Sequence, residues 1–421
     1  MNIEKNRYRS GRRPRADSAA PYHSSMSFTQ EGSGNVGPSG ATGKDMEGFA
    51  ARSTSWMKKT CEQALMLGSS GVPVVLQAMR QHPSVPSVQD YGCETLTTLA
   101  SKSRHCKDLI VQSGGLSIVL QAMQQHQSSP SVQKHGCNAL AKLIRRKDDY
   151  QKLLAESGGA SIILHGMERH KSVDDVQQYG CKVLAMMTCN VSNQKTITES
   201  GGLPILLQAM RQHPSVPKVQ EHGCVALANL ACSNAHNKKL AAKLGGIPIV
   251  LQAMRQHQGL SDIQRFGCFV LANLACSDGN NKQAIVELGG VQAVVQAMKL
   301  YESESDLQKR ACRALANMTG NSQRQKLVAE SGGVDAILQA MKQHRMEPLV
   351  QKYGCNALWK LTDKNAENQK LIVDSGGVDL VVLALQKYRL DAGILEQARG
   401  VLGLLSSHVE NQESISQWLQ T

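Results

Sequence analysis

A Gly-Cys pair, or a close substitute, returns at Cys93, Cys137, Cys181, Cys224, Cys268, Cys312 and Cys355, with Arg399 in the eighth place. The interval is always 43 or 44 residues. A fixed period of this length restricts the chain to a solenoid, because one unit cannot enclose a core and buries its apolar face only against its neighbours. The 421 residues therefore predict one extended body rather than two or three separate cores. Aromatic residues make up only 4%. The core must be filled by Leu, Val, Ile, Ala, Met and Cys, which suits close helix packing better than a β-sandwich.

Within each period the punctuation predicts three helices. In the unit that ends at Cys232, Asn193–Glu199 reads as a short first helix opened by a capping Asn. Gly201-Gly202 ends it, since a helix leaves most cheaply through a residue of positive φ. Pro204 falls in the first turn of a second helix, with Leu206, Leu207 and Met210 on its apolar face. Pro214 to Pro217 breaks that helix, and a third follows with Val219, Cys224, Leu227 and Leu230 inward. Eight such units fill residues 54–421, with Ser70-Gly71 as the first version of the Gly-Gly turn. Trp56, Leu65 and Leu67 are expected to open the stack, and a lone helix Asn411–Leu419, lidded by Trp418, to close it. Residues 1–53, rich in Gly, Ser, Arg and Pro, offer too little apolar surface to offset ordering entropy and are expected to be disordered. Their run Lys5, Arg7, Arg9, Arg12, Arg13, Arg15 reads as a solvated tail or as a nuclear-import or phosphate-contacting one.

These features resemble armadillo repeats. The likeness rests on the period, on Gly201-Gly202-Leu203-Pro204 and Gly245-Gly246-Ile247-Pro248, and on Ala226–Ala231 with its copies at Leu271–Ala275 and Ala314–Met318. The Gln-Ala-Met-Arg-Gln-His phrasing is similar to the armadillo region of leucine-rich repeat kinases. The resemblance implies an all-α fold, a right-handed α-α superhelix of about eight three-helix repeats whose third helices line a concave groove.

Seven of the twelve cysteines sit one per unit and should lie a helix spacing apart, about 8–10 Å. A disulfide needs Cα atoms within about 7 Å. They read as reduced, buried spacers in a cytoplasmic protein, with the nucleus as the alternative compartment. No run of apolar residues is long enough to span a bilayer. His82, His126, His170, His213, His257 and His344 recur at the end of the second helix, with Tyr301 and Tyr388 in the other two units. A ring that reaches free carbonyls explains this row better than a metal does, because Tyr replaces His and no Cys or carboxylate keeps ligand spacing. The Met column at the second helices reads as core. The Gly-Gly turns follow no strand and lack the Lys-Ser/Thr of a phosphate loop. No catalytic residues, metal or cofactor are called for.

The outward positions of each third helix lie three before, one after and five after the repeat Cys. In the last three full units they are Arg265, Phe269 and Asn273, then Lys309, Arg313 and Asn317, then Lys352, Asn356 and Lys360. Five cations and no acid occupy these nine places. The net charge of +13 points the same way, towards acidic partners. The resemblance implies that Asn229, Asn273 and Asn317 hold the main chain of an extended ligand. It also implies that basic import signals are not bound, because the accompanying tryptophan is missing. The reading is a non-enzymatic scaffold for an acidic or phosphorylated extended protein segment. Nucleic-acid binding is the alternative, though the interleaved aromatics that stack bases are absent. A docking relative of an armadillo-containing kinase is a third.

Overall fold

A computed structural model of the chain describes residues 43–406 except 233 and 277, with side chains described from Arg52 onward. Every regular element in it is helical. The first unit comprises Gly43–Leu67, Gly71–Gln81 and Pro86–Lys102; the second, Arg104–Gln112, Gly115–Gln125 and Pro130–Ile144; the third, Asp148–Glu156, Gly159–Arg169 and Asp174–Met187. Unit 4 has Val191–Glu199, Gly202–Gln212 and Pro217–Ala231; unit 5, Ala235–Lys243, Gly246–Gln256 and Ser261–Ala275. Unit 6 has Gly279–Glu287, Gly290–Leu300 and Ser305–Met318; unit 7, Ser322–Glu330, Gly333–Gln343 and Pro348–Thr362; unit 8, Ala366–Asp374, Gly377–Lys387 and Ala392–Leu405. Each third helix packs directly on the third helix of the next unit, more closely than second helices pack on one another.

The Gly-Gly turn divides two tasks between its residues. Gly201 has φ +75° and Gly245 φ +80°, left-handed values that a side chain resists. The second glycine sits where chains touch: a Cβ on Gly202 would stand 2.5 Å from Cγ2 of Ile197 and 2.8 Å from its carbonyl oxygen. In the first unit the turn differs from expectation. A short 3-10 helix, Gly68–Ser70, is inserted, and Gly68 rather than Ser70 takes the positive φ of +60°. Met57, Cys61 and Ala64 are the buried residues that open the stack, whereas Leu67 is exposed and Trp56 lies edge-on to His82 at 5.2 Å.

The seven repeat cysteines are buried in a continuous core. Removal from water pushes the thiols of Cys137, Cys181, Cys224, Cys268, Cys312 and Cys355 up to about 12. The glycine before the repeat Cys, replaced only by Ala311 ahead of Cys312, makes room for the Met column: Cβ on Gly267 would lie 2.6 Å from Cγ of Met254. The ring row reaches carbonyls, as expected, and the carbonyls belong to the preceding unit. His126 Nε2 donates to Pro83 O (2.8 Å), His170 to Gln127 O (2.8 Å) and His257 to Pro214 O (2.8 Å), and Tyr301 Oη does the same to Gln258 O at 2.8 Å.

Two expectations need correction or placement. Asn190, not Asn193, caps the first helix of unit 4, its Oδ1 accepting from the Ser192 amide. Asn193 is one turn further in and buried, donating to Gln151 O of the preceding unit at 3.3 Å. The compact body begins at Phe49, and the helix Gly43–Leu67 runs through residue 53, where composition suggested a boundary. The basic run of residues 5–15 and the closing helix with Trp418 lie outside the described residues.

Candidate functional site

Among the expected residues, Arg265, Phe269, Lys309 and Arg313 of units 5 and 6 are joined by direct contacts into one strip. The Arg313 guanidinium lies 5.8 Å from the Phe269 ring of unit 5 and 6.0 Å from the Tyr353 ring of unit 7. One side chain thus bridges three units. Arg310 lies 4.3 Å from Phe269 and 5.3 Å from Phe266, and Arg265 stands 4.6 Å over Phe266. Each such contact contributes on the order of 0.5–1 kcal/mol where exposed. Arg310, Phe266 and Tyr353 were missed because they lie two before the Cys. The signal was available: that position reads Tyr91, His135, Tyr179, His222, Phe266, Arg310 and Tyr353, mostly rings.

The strip is less cationic than the counted positions suggest. Asp306 lies 2.6 Å from Lys309 Nζ, 3.0 Å from Arg310 Nε and 3.6 Å from Arg265 Nη1, and Asp262 also pairs with Arg265. Burial raises the Asp306 carboxyl, but the Lys309 hydrogen bond and the Arg310 charge outweigh it and hold the group below its usual range. Arg265 and Lys309 are therefore ion-paired within the fold, although two carboxylates shared with Arg310 leave the cluster one positive charge in excess. Arg313, Lys352 and Lys360 pair with no carboxylate among the described residues.

The asparagines correct the expectation drawn from the resemblance. Asn273 is 1% exposed and donates to Ala228 O of unit 4 at 2.9 Å. Asn317 repeats the bond to Ala272 O at 2.9 Å, and Asn229 reaches Thr188 Oγ1 at 3.2 Å. The last carbonyls of a helix lack partners within it, and the next unit's asparagine satisfies one. Asn356 pairs instead with Gln397 of unit 8. These amides serve as rungs between units, and Asn273 is closed to any ligand.

Lys360 opens onto a cleft of about 780 Å³ shared with Lys282, Gly320, Asn321, Trp359 and Lys364. Desolvation, then repulsion from Lys282, holds the Lys360 ammonium below its usual range. A second crowding of like charge occurs at Lys182, lowered by desolvation and by Lys142, Arg145 and Lys218. The cationic surface therefore extends back to units 2 to 4, beyond the half of the stack that the counted positions favoured.

Among the described residues, no group of three or more His, Cys, Asp or Glu is placed to hold a metal, and no helix is long and apolar enough to cross a membrane.

Comparison with known proteins adds to this geometry. Curated protein sequences give no match to the chain. The crystal structure of one engineered protein is similar at a TM-score of 0.69 and 25% identity, covering 88% of this chain and 89% of that one. A second engineered protein reaches 0.51 at 26% identity, covering 59% of this chain and 97% of that one. A designed armadillo repeat protein in complex with the peptide (KR)4 gives 0.47 at 19% identity, over 58% of this chain and 98% of that one. The family model described as LRRK2 ARM repeat matches residues 109–237 and 152–336, together more than half of the sequence. With eight three-helix units in phase and that match across the central ones, the chain belongs to the LRRK2 ARM repeat family and is an all-α armadillo solenoid.

Proposed function

We propose that the protein is a non-enzymatic scaffold that binds an acidic, extended protein segment along the third helices of units 5 to 7. An armadillo solenoid is a protein-binding fold, and the finer reading rests on one observation. Arg313 carries an unneutralised charge between two aromatic rings contributed by different units. An arginine so placed offers a planar donor fork and an apolar surround, the combination found at the energetic centres of interfaces. Lys352 and Lys360 extend the same charge towards unit 8, while Phe269 supplies apolar area. Lys309 and Arg265 are held by Asp306 and contribute mainly to the field that steers encounter.

The test is to reverse Lys309, Arg313 and Lys352 to Glu and repeat an affinity capture. Loss of acidic-segment partners is expected, and an unchanged set of partners rejects the groove. Twelve free thiols, nine of them buried, support a reducing, cytoplasmic setting. The match to the LRRK2 ARM repeat model also supports the reading of the chain as a docking module.

A further inference from the structure

We propose that the cleft between the first helix of unit 6 and the third helix of unit 7 is a phosphate subsite, in which Lys282, Lys360 and Lys364 hold a phosphoryl group carried by the bound segment. This rests on the scaffold reading above and adds where, and to what chemistry, the segment is anchored.

The cleft gathers cations from separate elements. Lys282 comes from Gly279–Glu287, Lys360 from Pro348–Thr362, and Lys364 from the loop that follows. Neither the Lys282 nor the Lys360 ammonium makes a hydrogen bond or ion pair among the described residues. Burial is the main reason the Lys360 ammonium is held below its usual range, and repulsion from Lys282 across the cleft adds to it. Asp363 is the carboxylate on the wall, and it is exposed at the rim with its backbone oxygen accepting from Gln325. The three lysines therefore leave a clear positive excess.

The floor is open at Gly320. Its φ of +140° suits no other residue, and the place a Cβ would occupy lies 3.7 Å from Lys282 Nζ and 3.4 Å from Arg324 Nη2. Arg324 Nε is buried and unpartnered. Trp359 forms a fixed wall, its ring seated on the backbone of Gly400, where a Cβ would stand 2.6 Å away. A phosphomonoester brings a charge of about −1.5 to −2 and three acceptor oxygens. That matches several converging ammonium groups better than one carboxylate does. The volume exceeds what a phosphate needs and leaves room for the chain that carries it.

The experiment uses the full chain. Inorganic phosphate is titrated by phosphorus NMR, and a fluorescein-labelled Glu-rich peptide, with and without a central phosphoserine, by anisotropy. Saturable phosphate binding is expected, together with at least a tenfold gain on phosphorylation of the peptide. Both should be lost in the Lys282→Met/Lys360→Met double variant, whose thermal melt should match the parent. A Lys282→Gln/Lys360→Gln variant repeats the measurement should the first fold poorly. Phosphate binding that is not saturable, or that survives in the double variants, overturns the subsite. Saturable phosphate with no gain for the phosphopeptide overturns it as stated and leaves free phosphate as the ligand. Arg313→Glu separates the two readings: it should weaken the unphosphorylated peptide and leave inorganic phosphate untouched.

Discussion

Gln264 donates its buried side-chain amide to two carbonyl oxygens at the end of the preceding helix, Met254 O at 2.8 Å and His257 O at 3.0 Å. The same pair of bonds recurs from Gln133, Gln220, Gln308 and Gln351. The second and third helices of a unit are thus clamped through two backbone acceptors. Among the described residues the methionine carbonyl has no other partner, and the ring residue's carbonyl also takes a turn amide, as His257 O does from Leu260. Replacing Gln264 by Leu keeps the volume and strands Met254 O, while His257 O keeps its bond from the Leu260 amide, and this should cost about 1–3 kcal/mol. Urea denaturation should show the loss, with the transition broadening as unit 5 uncouples from the rest.

Asp306 restrains the charge of the strip, since its single carboxylate is shared by Lys309, Arg310 and Arg265. Asp306→Asn keeps the shape and frees Lys309 and Arg310, while Arg265 keeps Asp262. Binding of an acidic segment should tighten several-fold and become more salt-dependent, read by anisotropy at two ionic strengths. Stability should fall in the same variant, because three cations lose their shared partner.

His135 Nδ1 lies 2.6 Å from Asp90 Oδ1. That hydrogen bond, against partial burial, raises the His135 ring above its usual 6.5. Burial raises Asp90, but the bonds from His135 and Ser131 outweigh it, so the carboxyl is lowered below 3.8. The histidine's contribution to stability is full below 6.5 and is lost as pH rises through its raised folded value. The aspartate's is present above 3.8 and is lost as pH falls through its depressed one. Urea midpoints measured at pH about 5.5 and about 8 should therefore differ, and His135→Gln should remove that part of the difference.

Much of this was legible because it repeats. The period, the positive-φ glycines and the ring at the end of each second helix could be read from alignment of the units alone. What was missed are contacts that cross from one unit to the next. Asp262 and Asp306 lie six before the Cys, off the three counted positions, yet a carboxylate there reaches the cation one turn on and, for Asp306, Arg265 of the unit before. Asn190 and Asn193 are equally good caps by type, and only packing assigns one to the cap and the other to the interior. Gln264 escaped notice because glutamine is usually a surface residue. Asn273 was assigned to a ligand because an amide that holds a passing main chain and one that holds a neighbouring helix look identical in sequence.

The ring at the second-helix end of units 2 to 8 grips the loop behind it through a main-chain oxygen, and the residue that carries this acceptor changes from Pro83 to Gln127, Lys171, Pro214, Gln258, Glu302 and Arg345 along the stack. The fastening needs only that main-chain oxygen, to which His213 alone adds a neighbouring side chain, Asp174. A duplicated unit inserted anywhere in the array would arrive with its own clasp and find a socket ready, so the array could grow or shrink by whole units without re-evolving the joints.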